Sequence, residues 1–297
     1  MNFRFLNLAL ATMFAWGLLS LAATSVLAQA GQMSAEDAAA LKTASEKPTP
    51  RTAEGQPNLV GYWENFPKAN TSQNGTVGAD GITYSPFVRP PGSGRAAIAA
   101  GPRPTPNEPS YKPEFVAKVK ELAAHAEDKD TKDPSFFCKP LGVPRIGHPR
   151  QIIQTPGLIV FLYQVDSGEG AASGNAVRLI PTDGRPHRKD VDPMYFGDSI
   201  GHWEGDTLVV DVTHLAEDTW LDGRGSFHTD ALHVVERITR TGDTLRWEAT
   251  ADDPNVLTGP WTVTPQTAML THDMVVEQPP CEERDQTSGE LGAEEHK

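Results

Sequence analysis

The sequence predicts a mainly β fold, an antiparallel up-and-down barrel or a strongly curled sheet, and three observations carry that reading. From residue 150 onward, short β-branched and aromatic runs alternate with Gly, Pro and Asp at spacings of about ten residues. Two junctions, WEGDTL (203–208) and RTGDTL (240–245), set Gly-Asp between such runs, which is a hairpin signature. Few helical patterns interrupt the series, so parallel crossovers are not expected. A two-layer β-sandwich is the competing architecture. A barrel of this size closes over room for one small ligand, and strand alternation places half of the side chains inside it.

In chain order, MNFRF carries Arg4 and no acid, and LNLALATMFAWGLLSLAATSVL (6–27) is apolar throughout. Small residues follow at Val26-Leu27-Ala28 and Ala28-Gln29-Ala30. Residues 1–30 therefore read as a secretory signal peptide cut after Ala28 or Ala30, and the protein is expected in the periplasm or secreted. A retained membrane anchor is the alternative, since the run is long enough to span. Residues 31–58 begin with a short helix and become a Pro/Thr-rich linker. The barrel-like domain spans 59–282 and opens on a strand in LVGYWENF, whose GYW resembles the Gly-x-Trp at the mouth of lipocalin-type barrels. Residues 68–113 are rich in Gly, Pro, Asn and Ser and read as an irregular excursion. A helix follows near 113–127, with Phe115, Val119, Leu122 and Ala126 on one face. Strands are then predicted in RQIIQTP, GLIVFLYQV, NAVRLIPTDG, DSIGHWEGDTLVVDVTHL, LHVVERITRTGDTLRWEATADDP and PWTVTPQTAMLTHDMVVEQ. Residues 283–297 form a disordered acidic tail.

The net charge of −13 repels phosphate backbones, so no nucleic-acid partner is expected. No basic amphipathic segment predicts stable membrane association after signal cleavage. The two cysteines, Cys138 and Cys281, predict one disulfide in an exported protein, with two free thiols as the alternative. Neither lies in a Cys-x-x-Cys or Cys-His cluster, and no His-x-His or HExxH occurs, so no metal is expected. A Gly-x-Ser-x-Gly elbow, a dinucleotide fingerprint and a P-loop are likewise missing, and no cofactor is expected; GEGAASG (168–174) is not followed by a helix.

Chemistry-bearing residues concentrate in 183–237. His187, His202, His214, His228 and His233 are accompanied by Asp190, Asp192, Asp211, Asp222, Asp230 and Glu236. An imidazole oriented by a carboxylate serves as a general acid or base near neutral pH. In GRPHRKDVDP (184–193) two prolines stiffen the loop around His187, and Asp190 or Asp192 is placed to fix its tautomer; the alternative is a solvated charged connector. In WLDGRGSFHTDALHVVER (220–237), Trp220, Asp222 and His228 read as a lip over the cavity. Equally, Trp220 plugs the barrel end and Asp222 caps a turn. Alternation in HVVER sets His233 and Arg237 on one face, either pointing inward with Arg237 as an anion anchor, or outward as a polar surface with Glu236 in a salt bridge. Tyr163 and Arg178 each sit among apolar neighbours in a strand and are candidate inward polar groups.

The motifs GVPR, IIQTPG, DGRPH, SIGHWEGDTLVVD, TWLD, ALHVVER, DDP and PWTV, in that order, resemble a large family of exported, mostly uncharacterised bacterial β-rich proteins. The resemblance covers roughly residues 50 to 282. It implies export and a barrel-like body, with an association to lyases acting on phenylcoumaran-type lignin dimers. His187, Asp192, Trp203, Asp222, His228, His233 and Arg237 occupy family-like positions. The chain departs from the pattern at Asp198, where His is common, and at His202, where Arg is common. The resulting expectation is a metal-independent lyase or isomerase acting on a small aromatic or hydrophobic molecule. His187 or His228 is its base, Asp192 or Asp222 the orienting carboxylate, and Arg237 or Arg178 the anion anchor. Tyr163, His202, Trp220 and His233 line the substrate. A lipocalin-like carrier without catalysis and a metal-dependent hydrolase are the alternatives.

Overall fold

The computed structural model describes residues 35–67, 76–77, 83–84, 107–125, 132–165 and 174–277. The predicted signal peptide, most of the excursion and the acidic tail lie outside them, as do Ala126 and Cys281. No described cysteine is free.

Period-two alternation of β-branched and aromatic residues builds the strands. They are β1 (Gly61–Asn65), a two-stranded pair β2 (Thr76–Val77) and β3 (Thr83–Tyr84), β4 (Gln151–Thr155), β5 (Leu158–Val165), β6 (Gly174–Pro181), β7 (Asp198–Glu204), β8 (Thr207–Thr213), β9 (His233–Thr241), β10 (Thr244–Asp252), β11 (Trp261–Thr262) and β12 (Gln266–Thr271). The helices are α1 (Ala35–Ser45) and α2 (Val116–Ala124), the latter entered through a 3-10 turn at Pro113–Phe115. Phe115, Val119 and Leu122 pack against the core, as their spacing predicts.

All pairings in the main sheet are antiparallel, in the order β6-β5-β4-β1-β12-β10-β9-β8-β7, with β11 on the side of β10. The sheet is therefore a meander curled into a nearly closed barrel, with β1 stitched between β12 and β4. Both Gly-Asp junctions are two-residue hairpins, Glu204 opposite Thr207 and Thr241 opposite Thr244. Their glycines take φ of +60° and +58° at the first central position, the II′ geometry whose twist suits the flanking strands.

The nine strands of this path are odd in number, and that fixes the character of the seam. Successive antiparallel steps from β6 round to β7 leave the two end strands running in the same direction. The ladder stops there, and residues 182–197 must return along the barrel before β7 begins. Side chains close the seam instead. A methyl group on Gly201 of β7 would lie 2.9 Å from Ile180 Cγ2 of β6 and 3.0 Å from Thr182 Cγ2, so only glycine permits this approach.

The interior is filled. Trp63, Phe161, Tyr163, Ile159, Ile180, Leu208, Ile238 and Trp247 are fully buried on the inward faces. The expectation of a central ligand cavity is thereby corrected: large aromatic side chains occupy that volume, and the open cavities lie at the seam and at one end of the barrel.

Candidate functional site

Inward and outward registers sort the predicted residues. Arg178 and Tyr163 point inward, as one reading of their strands had it. Arg178 Nη2 donates to Glu236 Oε2 at 2.6 Å and to Ser199 Oγ at 3.0 Å, and Nη1 donates to the Tyr163 hydroxyl at 3.0 Å. Trp247 Nε1 donates to Glu236 Oε1 at 2.9 Å. This buried ion pair thus joins β5, β6, β7, β9 and β10. Burial weakens a guanidinium's hold on its proton, but Glu236 and Tyr163 outweigh it and push Arg178 above its ordinary value. Burial likewise pushes the Tyr163 phenol up. Arg178 is engaged by Glu236, so it stabilises the interior and its role as a free anion anchor is not what the geometry displays.

The HVVER strand resolves the other way. Val234, Glu236, Ile238 and Arg240 are buried, which leaves His233 and Arg237 on the outer wall. Arg237 Nη2 donates to Glu204 Oε2 at 2.8 Å, and His202 Nε2 meets Glu204 Oε1 at 3.3 Å, both at the surface. The inward placement of His233 and Arg237 is corrected, because Glu236 is the group that Arg178 requires inside.

The 220–228 segment is structural in its contacts. Trp220 is buried and pairs with Phe227 through an isolated bridge. Asp222 Oδ1 accepts from the backbone of Arg224 at 2.7 Å and Ser226 at 3.4 Å, so it organises the turn and does not orient His228. His228 is buried, with Nε2 at 2.7 Å from Thr219 Oγ1 and Nδ1 donating to the Thr229 carbonyl at 2.9 Å. Burial lowers its pKa and keeps the ring neutral. Both nitrogens are committed, and none of the partners is shared with His187.

His187 is held by carboxylates other than those expected. Asp190 and Asp192 are exposed in the loop. Instead, His187 Nδ1 lies 3.0 Å from Asp198 Oδ2, and Nε2 lies 2.8 Å from Asp211 Oδ1. The second oxygen of Asp211 accepts from His233 Nε2 at 3.0 Å. Carboxylate oxygens only accept, so His187 faces an acceptor at each ring nitrogen. Arg188 adds its backbone N–H at 3.0 Å and its Nε at 2.6 Å to Asp198. Burial pushes Asp198 up, but the bonds from Arg188 and His187 outweigh it and hold the carboxyl below its usual range.

The result is a continuous chain, Asp198–His187–Asp211–His233, on the outer wall beside the seam. Side-chain exposure rises along it, from 9% at Asp198 through 22% at His187 and 31% at Asp211 to 44% at His233. Among the described residues the Nδ1 of His233 has no partner and meets solvent. At the other end, Asp198 and Arg188 border a cavity of about 320 Å³ between β6 and the crossover, whose apolar wall is Val177, Leu179, Met194 and Phe196. Phe196 stacks on Tyr163 with ring centroids 6.5 Å apart, fixing that wall to the barrel.

Sequence reasoning singled out His187 and His233 and missed Asp198 and Asp211 as their partners. The available signal was a lone aspartate in the outward register of TLVVDVT. Among the described residues no group of three or more His, Cys, Asp or Glu side chains is arranged to hold a metal ion. No helix among them is long and apolar enough to cross a membrane. Comparison with protein-family models, with curated proteins and with solved structures yields no match, so the chain's own geometry defines the candidate site.

Proposed function

We propose that this protein is an exported, periplasmic lyase or isomerase that uses imidazole acid–base chemistry on a small aromatic molecule at the seam cavity. One observation carries the reading: two imidazoles share the Asp211 carboxylate in a hydrogen-bonded chain that starts at the cavity wall and ends at solvent. Asp198 is the member of the chain that lines the cavity, so a proton passes between the ligand and His187 Nδ1 by way of the Asp198 carboxylate, while Asp211 orients the far side of the ring and ties it to His233 at the surface. The cavity lies within the usual size range of small-molecule sites, and its wall is apolar with a few convergent polar groups. An aromatic body suits Val177, Leu179, Met194 and Phe196, and a phenolate or carboxylate suits Arg188. Resemblance to exported proteins associated with phenylcoumaran lyases supports the same substrate class, and the N-terminal signal-like segment supports the compartment.

The test is a screen of the purified protein against lignin-derived aromatic dimers and phenolic acids, followed by variants. His187→Ala and His233→Ala are expected to lower kcat by about 10²- to 10⁴-fold while leaving the fold intact. Full turnover of an authentic substrate by His187→Ala removes this site from the chemistry. The filled interior disfavours a lipocalin-type carrier, which needs the central volume that Trp63, Phe161 and Trp247 occupy.

A further inference from the structure

A second cavity, of about 190 Å³, lies at the end of the barrel where β5 finishes and β12 begins. Alternation from the buried Ile152 puts Arg150 on the interior register, and its side chain lines this cavity with Gln266, His148 and Tyr163. The chain carries 39 acids against 26 lysines and arginines, so a half-buried arginine would be expected to find a carboxylate. Arg150 has none: among the described residues its guanidinium makes no ion pair and no hydrogen bond. Its backbone, by contrast, is pinned, accepting from Trp63 N at 2.6 Å and donating to the Leu162 carbonyl at 2.9 Å.

The neighbouring amide points to the same ligand chemistry. Gln266 Oε1 accepts from the backbone N–H of His148 at 2.9 Å. A backbone N–H only donates, so the carboxamide orientation is fixed and its NH₂ end is left as a donor without a partner. The close approach of Gly147 holds this side chain in place, since a Cβ there would meet Gln266 Oε1 at 2.7 Å. Burial, with help from Arg150, pushes the His148 imidazole down to about 4 against the bond to the Pro149 carbonyl, so His148 is neutral at pH 7. Arg150 is thus the charge on this wall and the Gln266 NH₂ an uncommitted donor near it, beside apolar surface from Leu141, Ile146 and Val165.

We propose that this barrel mouth binds the carboxylate of a small organic acid, with Arg150 as the bidentate cation, the Gln266 amide as second donor, and the apolar lining against the acid's body. The site is separate from the seam and stands independently of the activity proposed there. Isothermal titration of the full chain with benzoate, acetate and inorganic phosphate, at ionic strength matched with chloride, tests it. Benzoate is expected to bind saturably and more tightly than acetate. Arg150→Gln is expected to weaken benzoate at least tenfold, and Arg150→Lys, which keeps the charge and loses the fork, several-fold. His187→Ala is expected to bind benzoate as the unaltered protein does. No saturable binding by the unaltered protein overturns the proposal. So does phosphate binding without benzoate binding, full affinity in a folded Arg150→Gln or Arg150→Lys protein, or loss of affinity in His187→Ala, which would move the ligand to the seam. If Arg150→Gln fails to fold, the unaltered protein and Arg150→Lys decide.

Discussion

Asp211 is the residue on which the seam chain turns, because one carboxylate holds two rings with its two oxygens. Asp211→Asn keeps the shape but turns one acceptor into a donor, so one imidazole loses its partner. Turnover is expected to fall by about 10²- to 10⁴-fold with the melting temperature nearly kept, read by kinetics beside calorimetry. Glu236 is the opposite kind of residue. Glu236→Gln leaves the buried Arg178 without a counter-charge, and an uncompensated buried ion costs about 3–5 kcal/mol. Denaturant titration is expected to show that loss. His187 was legible as a candidate because prolines and charges surround it in sequence. Its partners were not, since Asp198 and Asp211, 11 and 24 residues on, reach it only because the crossover folds back onto β7 and β8. For the same reason HVVER could not be oriented from alternation alone: both of its faces hold charge, and what buries Glu236 is an arginine 58 residues away.

At the scale of elements, local signals were the dependable ones. The hairpins at Gly205 and Gly242 and the face of α2 follow from turn chemistry and period, which act over a few residues. The seam is a property of the count and direction of strands, and no window of sequence displays it. Gly201 is its most sensitive point. Gly201→Val would force β7 away from Ile180 and Thr182, and overpacking of this kind costs about 1–3 kcal/mol. A lower melting temperature, with faster amide deuteration in β6 and β7 than in β9 and β10, is the expected outcome. Unchanged exchange in those two end strands would show that the seam is not where the barrel opens.

Across the whole molecule, two buried neutral imidazoles, His148 and His228, tie stability to pH. Each has its folded pKa below the ordinary 6.5, to about 4 for His148. The unfolded chain therefore binds more protons as pH falls through 6.5, and their contribution is present above that value and lost on acidification. For His148 the loss runs between pH 6.5 and about 4 and amounts to roughly 3 kcal/mol. Asp198, held below its usual carboxylate range, adds a loss at still lower pH. Melting temperature measured from pH 8 to pH 4 is expected to fall, and His148→Asn to flatten the slope while lowering the plateau.

The stitching of β1 between β12 and β4 has a kinetic consequence. Tyr62 stands opposite both Gln151 and Thr271, so the first strand of the barrel gains one neighbour midway along the chain and the other only from the last strand. Contacts of such long sequence separation slow folding, because the loop-closure entropy is lost before the contacts repay it. A nascent chain therefore carries a β1 edge without its β12 neighbour until the last strand is made. Any nascent chain stopped before residue 266 is then a species with open sheet edges, prone to associate with its own kind.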